Sequence, residues 1–287
     1  MLMNMNQMLA VAKKNNFAVG AFNISDYAHF LGVMRACEEL NAPVIIEIHP
    51  HELAFTGDAF VAAIREYLYK SRIPAVLHLD HGDSIDSVLR AIQDGFTSVM
   101  IDGSSLPFEE NIAICKKTCE LAHAVGVSVE GELGTIGVTT SKEAWENQKI
   151  IYTDPDDARK FIEETGIDCL AVAIGTSHGL YPKGVTPKLR IDILKEIVKK
   201  VEVPLVLHGG SNNPDSEIAE AVRNGINKVN ISSDIKVAYF NKMREVLQNE
   251  NLREPNKIEP ACIEALKEVA MQKIRLFNSD GKASLYR

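Results

Sequence analysis

The stretch HLDHG (78–82) places two histidines and an aspartate within four residues, at the end of an apolar run reading AVLHLDHG (75–82). Burying such groups unpaired costs roughly 1–3 kcal/mol each or more, so a chain that keeps them where a strand meets a loop must bring them partners. Two further histidines sit in comparable places, His178 in GTSHG and His208 in LHGGS. Three histidines from three strand ends, with a carboxylate close by, match the donor set of a catalytic zinc with an open position. A structural zinc would ask for a closed four-ligand cage, usually richer in cysteine. The plainer alternative is that each is a core histidine satisfied by a hydrogen bond. Asp80, next to His81, is placed to exchange a proton with a substrate hydroxyl. His78 shares the parity of Asp80 along the strand and points into the same interior, either to orient a neighbour or to pack.

Other motifs suit an anion. GGSNNPDSE (209–217) opens a helix, and NISSD (230–234) leads into another. Small residues there let backbone N–H groups approach a phosphate, which the helix N-terminus favours. Zinc, phosphate and a free carboxylate together fit reversible carbon–carbon cleavage of a phosphorylated ketose, with the metal polarising the carbonyl. The same parts also suit metal-assisted hydrolysis.

These residues can act together only if the fold brings them to one place. β-rich apolar runs recur about every thirty residues: 17–23, 43–48, 75–80, 98–103, 127–133, 169–175, 204–210 and 228–233. Helical periodicity fills most of the intervals, and runs apolar on both faces suit parallel strands covered by helices. Eight such units without a compositional break predict a single domain over 1–287, a (β/α)₈ TIM barrel with an extra C-terminal helix. An open doubly wound sheet is the alternative, and no G-x-G-x-x-G follows the first strand to support a Rossmann fold. In a barrel the strand ends meet at one mouth. That mouth would collect Asn23, Asp80, His81, Asp102, Glu130, Glu132, His178, His208, Asn230, Ser232 and Ser233. Two segments depart from the regular unit. A long polar stretch (134–161) separates the fifth strand from its helix, and the C-terminal tail (254–287) holds a helix that closes the barrel bottom or reaches a neighbouring subunit.

Composition narrows the classes. The chain has 287 residues, 46% hydrophobic and 24% charged, with a formal net charge of −8, and its mean hydropathy is −0.05. Nothing suggests a nucleic-acid partner, since there is no basic stripe or aromatic stacking set. No apolar run approaches the ~20 residues of a membrane helix, and the N-terminus lacks a signal-peptide layout. Five scattered cysteines without a CxxC point to reduced thiols in a cytoplasmic protein, with Cys115 and Cys119 packing on one helix face. His29 and His123 fall in helical segments and read as ordinary.

HLDHG, VEGELG, AIGTSHGLY, VPLVLHGGS and KVNISSD, in this order and spacing, resemble the class II, zinc-dependent fructose- and tagatose-bisphosphate aldolases along essentially the whole chain. The resemblance implies a lyase of carbohydrate metabolism, of the glycolytic type, that cleaves a phosphorylated ketose to dihydroxyacetone phosphate and an aldehyde. It implies that His81, His178 and His208 ligate zinc, that Asp80 handles the C4 hydroxyl proton, and that Glu132 and Asp102 form an alternative or second metal position. Gly179, Gly209, Gly210, Ser211, Asn230 and Ser233 would hold the dihydroxyacetone phosphate half, with Asn23 and Ser232 beside them. A monovalent cation (Na⁺ or K⁺) and a homodimer or homotetramer go with the family. The chain departs from the pattern in three places. Thr140 stands where relatives carry a loop acid, with Glu143 and Glu146 nearby. His49, followed by His51, replaces a Ser or Thr after the second strand. Met271 takes the place of a helical Arg that reaches the far phosphate, so either Lys273 or Arg275 substitutes or the far end is not phosphorylated. The missing acid leaves room for a non-catalytic sugar-phosphate-binding relative. Fructose versus tagatose stereochemistry, oligomer size and pathway lie beyond the sequence.

Overall fold

The computed structural model describes residues 1–138, 150–182 and 184–286. Eight parallel strands close into a barrel: β1 (Val19–Asn23), β2 (Val44–Ile48), β3 (Ala75–Gly82), β4 (Ser98–Ile101), β5 (Ser128–Leu133), β6 (Cys169–Val172), β7 (Leu205–Leu207) and β8 (Ile226–Ile231), with β8 pairing back to β1. The predicted barrel is therefore correct, although some strands are shorter than their apolar runs. The run 169–175 keeps its ladder only to Val172, and 204–210 only to Leu207, because the glycines that follow leave the sheet. A two-residue ribbon outside the barrel pairs Gly137–Val138 with Ser177–His178. Thr140, Glu143 and Glu146 lie outside the described residues.

The period-2 alternation of each strand sorts its side chains between two environments. Outward residues such as Val44, Ile46, Leu77, Leu79, Val129 and Val229 join the main core under the helices. Inward residues change character along the barrel axis. At the N-terminal end Val19, Ala21, Ile45, Val76, Cys169, Ala171 and Val206 pack against Met5, Met8, Leu9 and Ala12 of the first helix. That helix, Met5–Lys14, is fixed at its start by a capping box between Asn4 and Gln7. It closes the barrel bottom, a role the sequence reading left to the C-terminal tail. The long helix Pro255–Leu276 instead packs on the flank, against the helices Tyr27–Leu40 and Ser233–Val246. From the tail Tyr286 reaches the plug, where its hydroxyl donates to the Met8 carbonyl at 3.0 Å. The physical reason is the rim itself: its side chains are apolar and need an apolar helical face, which the Met and Leu side chains of the first helix present.

Farther up, the inward positions are ionisable: Glu47, His78, Glu130 and Lys228 are all fully buried. Above them come Asn23, Asp80, Glu132, His208 and Asn230, at the C-terminal ends of their strands, where barrel folds place their chemistry.

Candidate metal and substrate site

Neighbouring residues on a strand face opposite ways, yet both Asp80 and His81 reach the mouth. The backbone shows how. His81 adopts a left-handed conformation, φ 50°, and the β3–β4 register shifts between Leu79 and Gly82. This bulge turns His81 back toward the interior, at a cost of order 1 kcal/mol or more for a non-glycine residue. Gly82 is obligatory there, because a Cβ would sit 2.3 Å from the Met100 carbonyl oxygen. Strand, bulge and glycine together let HLDHG present two adjacent groups to one site.

The three predicted ligands converge. Nitrogen atoms of His81, His178 and His208 lie within 4.8 Å of one another, and the His81 ring is edge-on to both His208 (4.7 Å) and His178 (5.0 Å). His81 Nδ1 is 2.8 Å from Asp102 Oδ2, and His208 Nε2 is 2.7 Å from Glu130 Oε1. With those nitrogens engaged by carboxylates, His81 Nε2 and His208 Nδ1 face each other at 3.0 Å. Two lone pairs would repel at that distance, so a cation has to lie between them. Either a metal ion or a proton on His81 would serve. Burial opposes a charged His81, but Asp80, the Asp102 hydrogen bond and Glu132 outweigh it and raise its pKa to about 10. Burial and then the neighbouring histidines lower His178 to about 3, and burial also lowers His208. Two imidazoles are thus held neutral around a position that already attracts positive charge. This donor set fits a zinc ion.

Glu132 and Asp102 form a second group with His81, again within 4.8 Å. Glu132 is buried, one of its carboxylate oxygens has no hydrogen-bond partner, and burial followed by the charge of Asp102 raises it to about 8. Asp102 also accepts from the Ser104 hydroxyl at 2.7 Å.

Asp80 is 4% exposed, and its oxygens accept from Asn23 Nδ2 at 2.7 Å and Asn230 Nδ2 at 3.2 Å. Burial penalises its charge, but attraction to His81, His208 and Lys228 prevails and holds the carboxyl far below the usual carboxylate range. A cavity of ≈ 700 Å³ opens above it, and Asn23, Glu132, His178, Gly179, Ser232 and Ser233 are on its wall. Gly209, Gly210 and Ser211 are not. They tie the loop behind that wall, where a Cβ on Gly209 would meet the Ser177 carbonyl oxygen at 2.6 Å. Ser211 Oγ there accepts from the backbone N–H groups of Ser232 (3.2 Å) and Asp234 (3.3 Å).

The remaining sequence candidates separate clearly. His49 and His51 stack at 4.9 Å and line the cavity with Glu52 and Asp83. Met271, expected at the far end of the substrate, is 4% exposed in the main core and lines no part of this cavity. Lys273 is likewise absent from the wall, and is buried in an ion pair with Asp234 at 2.9 Å. The Arg275 side chain is exposed and is likewise absent from the wall. Sequence reading missed Glu47 and Lys228. A signal was present, because each is a charged residue at an inward position of a strand.

The family model for fructose-bisphosphate aldolase class-II matches residues 3–282. The chain belongs to that family. A fructose-bisphosphate aldolase of Staphylococcus aureus (strain N315) is 40% identical over 287 residues, which cover 98% of this chain and 99% of that protein. The crystal structure of the YdjI aldolase from Escherichia coli K12 superposes with a TM-score of 0.88 at 35% identity, covering 99% of this chain and all of that one. Membership makes the protein a lyase of the aldolase type, a family generally dependent on zinc. No helix among the described residues is long and apolar enough to cross a membrane.

Proposed function

We propose that the protein reversibly cleaves a phosphorylated ketose into dihydroxyacetone phosphate and an aldehyde, with zinc held by His81, His178 and His208. The observation that carries this reading is Asp80, oriented by two asparagine amides, at the edge of the three-histidine cluster and facing the cavity. When bound, the zinc would polarise the substrate carbonyl and stabilise negative charge on its oxygen. Asp80 takes the proton of the C4 hydroxyl as the C3–C4 bond breaks. The bond electrons go to C3, which is protonated to complete dihydroxyacetone phosphate, and C4 leaves as the aldehyde. Asn23 and Asn230 keep the Asp80 carboxylate aimed throughout. Ser232 and Ser233 at the start of helix Ser233–Val246, with Gly179 on the same wall, supply small residues and backbone N–H groups for the 1-phosphate. Behind them Gly209, Gly210 and Ser211 hold the loop in shape. Glu132 and Asp102 offer a second metal position that shares His81. A monovalent cation near the phosphate, a homodimer or homotetramer, a cytoplasmic location and a glycolytic role belong to the same reading.

The far end of the substrate is a separate question. Among the described residues that line the cavity there is no lysine or arginine, whereas Glu52 and Asp83 are present. This supports a ketose 1-phosphate over a bisphosphate. The test couples release of dihydroxyacetone phosphate to a reporter dehydrogenase, with fructose and tagatose 1,6-bisphosphates beside their 1-phosphates, with and without a chelator. Chelator-sensitive cleavage is the expected result, faster on the 1-phosphates. No release from any of the four would overturn the activity, and a preference for bisphosphates would overturn the reading of the far end.

A further inference from the structure

His208 can bind a metal through Nδ1 only if its proton sits on Nε2. In a neutral imidazole that choice is made by whatever the other nitrogen faces. Here it faces Glu130 Oε1 at 2.7 Å, with both side chains fully buried. A carboxylate can only accept, so it selects the Nε2–H form. Nothing else in the contact fixes which way Glu130 turns. Its second oxygen decides that, because it accepts from the Lys228 ammonium at 2.7 Å.

Lys228 enters from β8, on the far side of β6 and β7 from β5. It has no exposure to solvent, and it also forms an ion pair with Glu47 Oε1 at 2.8 Å, though not aligned as a hydrogen bond. The other groups around Glu130 Oε2 are weaker partners: His78 Nε2 at 3.6 Å and the Cys169 thiol at 3.6 Å. A buried lysine between two glutamates is expensive to desolvate and adds little net stability compared with apolar filling. Its position suggests what it is for.

We infer that Lys228 is a positioning residue for the metal ligand His208, acting through Glu130. By taking one Glu130 oxygen it aims the other at His208 Nε2 and leaves Nδ1 to present its lone pair to the metal position. The inference rests on the reading of His208 as a metal ligand. It concerns which ring nitrogen carries the proton, a property observable without metal or substrate.

The isosteric Glu130→Gln change makes the sharpest test. An ammonium needs an acceptor, so the new amide gives its oxygen to Lys228 and turns its NH₂ toward His208. Nε2 must then accept, and the ring proton moves to Nδ1. Lys228→Met tests the other half of the arrangement, by freeing Glu130 to rotate. Two measurements apply to both variants. Long-range ¹H–¹⁵N correlation spectra of the metal-free protein report the His208 tautomer, and competition with a chromogenic chelator gives zinc affinity. The expected result is Nε2–H in the wild type, a shift toward Nδ1–H in Glu130→Gln, and zinc binding weakened about 10–100-fold in both variants. Zinc affinity within about threefold of wild type in Glu130→Gln overturns the inference, as does an unchanged tautomer. Should Lys228→Met fail to fold, Glu130→Gln still decides. If His208→Ala leaves zinc affinity intact, the metal reading fails and takes this inference with it. That outcome is distinct from one in which zinc binding at His208 stands and only the Glu130 effect is missing.

Discussion

Asp80→Asn separates the fold of the site from its chemistry. The asparagine oxygen can keep the shorter contact, 2.7 Å from Asn23 Nδ2. Its new NH₂ then meets the Asn230 amide, which approached Asp80 as a donor at 3.2 Å. Asn230 can turn over to accept instead, because its own Oδ1 has no hydrogen-bond partner in the protein. The site's hydrogen bonds therefore survive the change, and what disappears is the carboxylate proposed to accept the C4 proton. Loss of a positioned general base costs about 10²–10⁴-fold in rate, or about 3–5 kcal/mol in the barrier. The expectation is a kcat lower by that factor with zinc content unchanged, read from coupled dihydroxyacetone phosphate release and metal analysis of the same preparations. A kcat within about threefold of wild type would refute the proton-transfer role of Asp80. Loss of zinc along with activity would refute the separation of roles, by making Asp80 part of the metal site.

Two further substitutions test the architecture. Gly82→Ala forces a Cβ to within 2.3 Å of the Met100 carbonyl oxygen and 3.0 Å of Leu79 Cδ2; we expect a loss of about 1–3 kcal/mol in urea unfolding and reduced zinc content. A wild-type midpoint with full zinc would show that the bulge does not depend on this glycine. Met271→Arg, which the sequence alone would favour as a way to improve use of bisphosphates, buries a charge at a position 4% exposed. The expected outcome is a destabilised protein, by roughly 3 kcal/mol or more, with no gain in the bisphosphate to 1-phosphate ratio; a stable variant with a raised ratio would show that the far end of the site had been misjudged.

Much of the protein is legible in its sequence, for reasons that are local. The eight strands announce themselves as short apolar runs, since strands covered on both faces have no polar side to show. Their polar last residues stand out against those runs, which is why Asp80, His81, His178 and His208 could be named together as one site. Chain order and strand period also suffice to point His78 and Asp80 inward.

Tertiary structure decided the rest. Whether adjacent residues 80 and 81 could serve one site depended on a bulge in β3, made by a positive φ at His81 and the lack of room at Gly82. Met271, which the family resemblance sets where relatives carry an Arg, packs in the core, since a helix's rotation is set by its neighbours. Glu47, Glu130 and Lys228 come from three strands, and no spacing along the chain links them. They meet only because a closed barrel brings inward positions of β2, β5 and β8 to one level, within ion-pair distance. Periodicity identifies the face on which a side chain lies. Barrel closure determines its partners, and it is the partners that set the charge on Asp80 and the tautomer at His208.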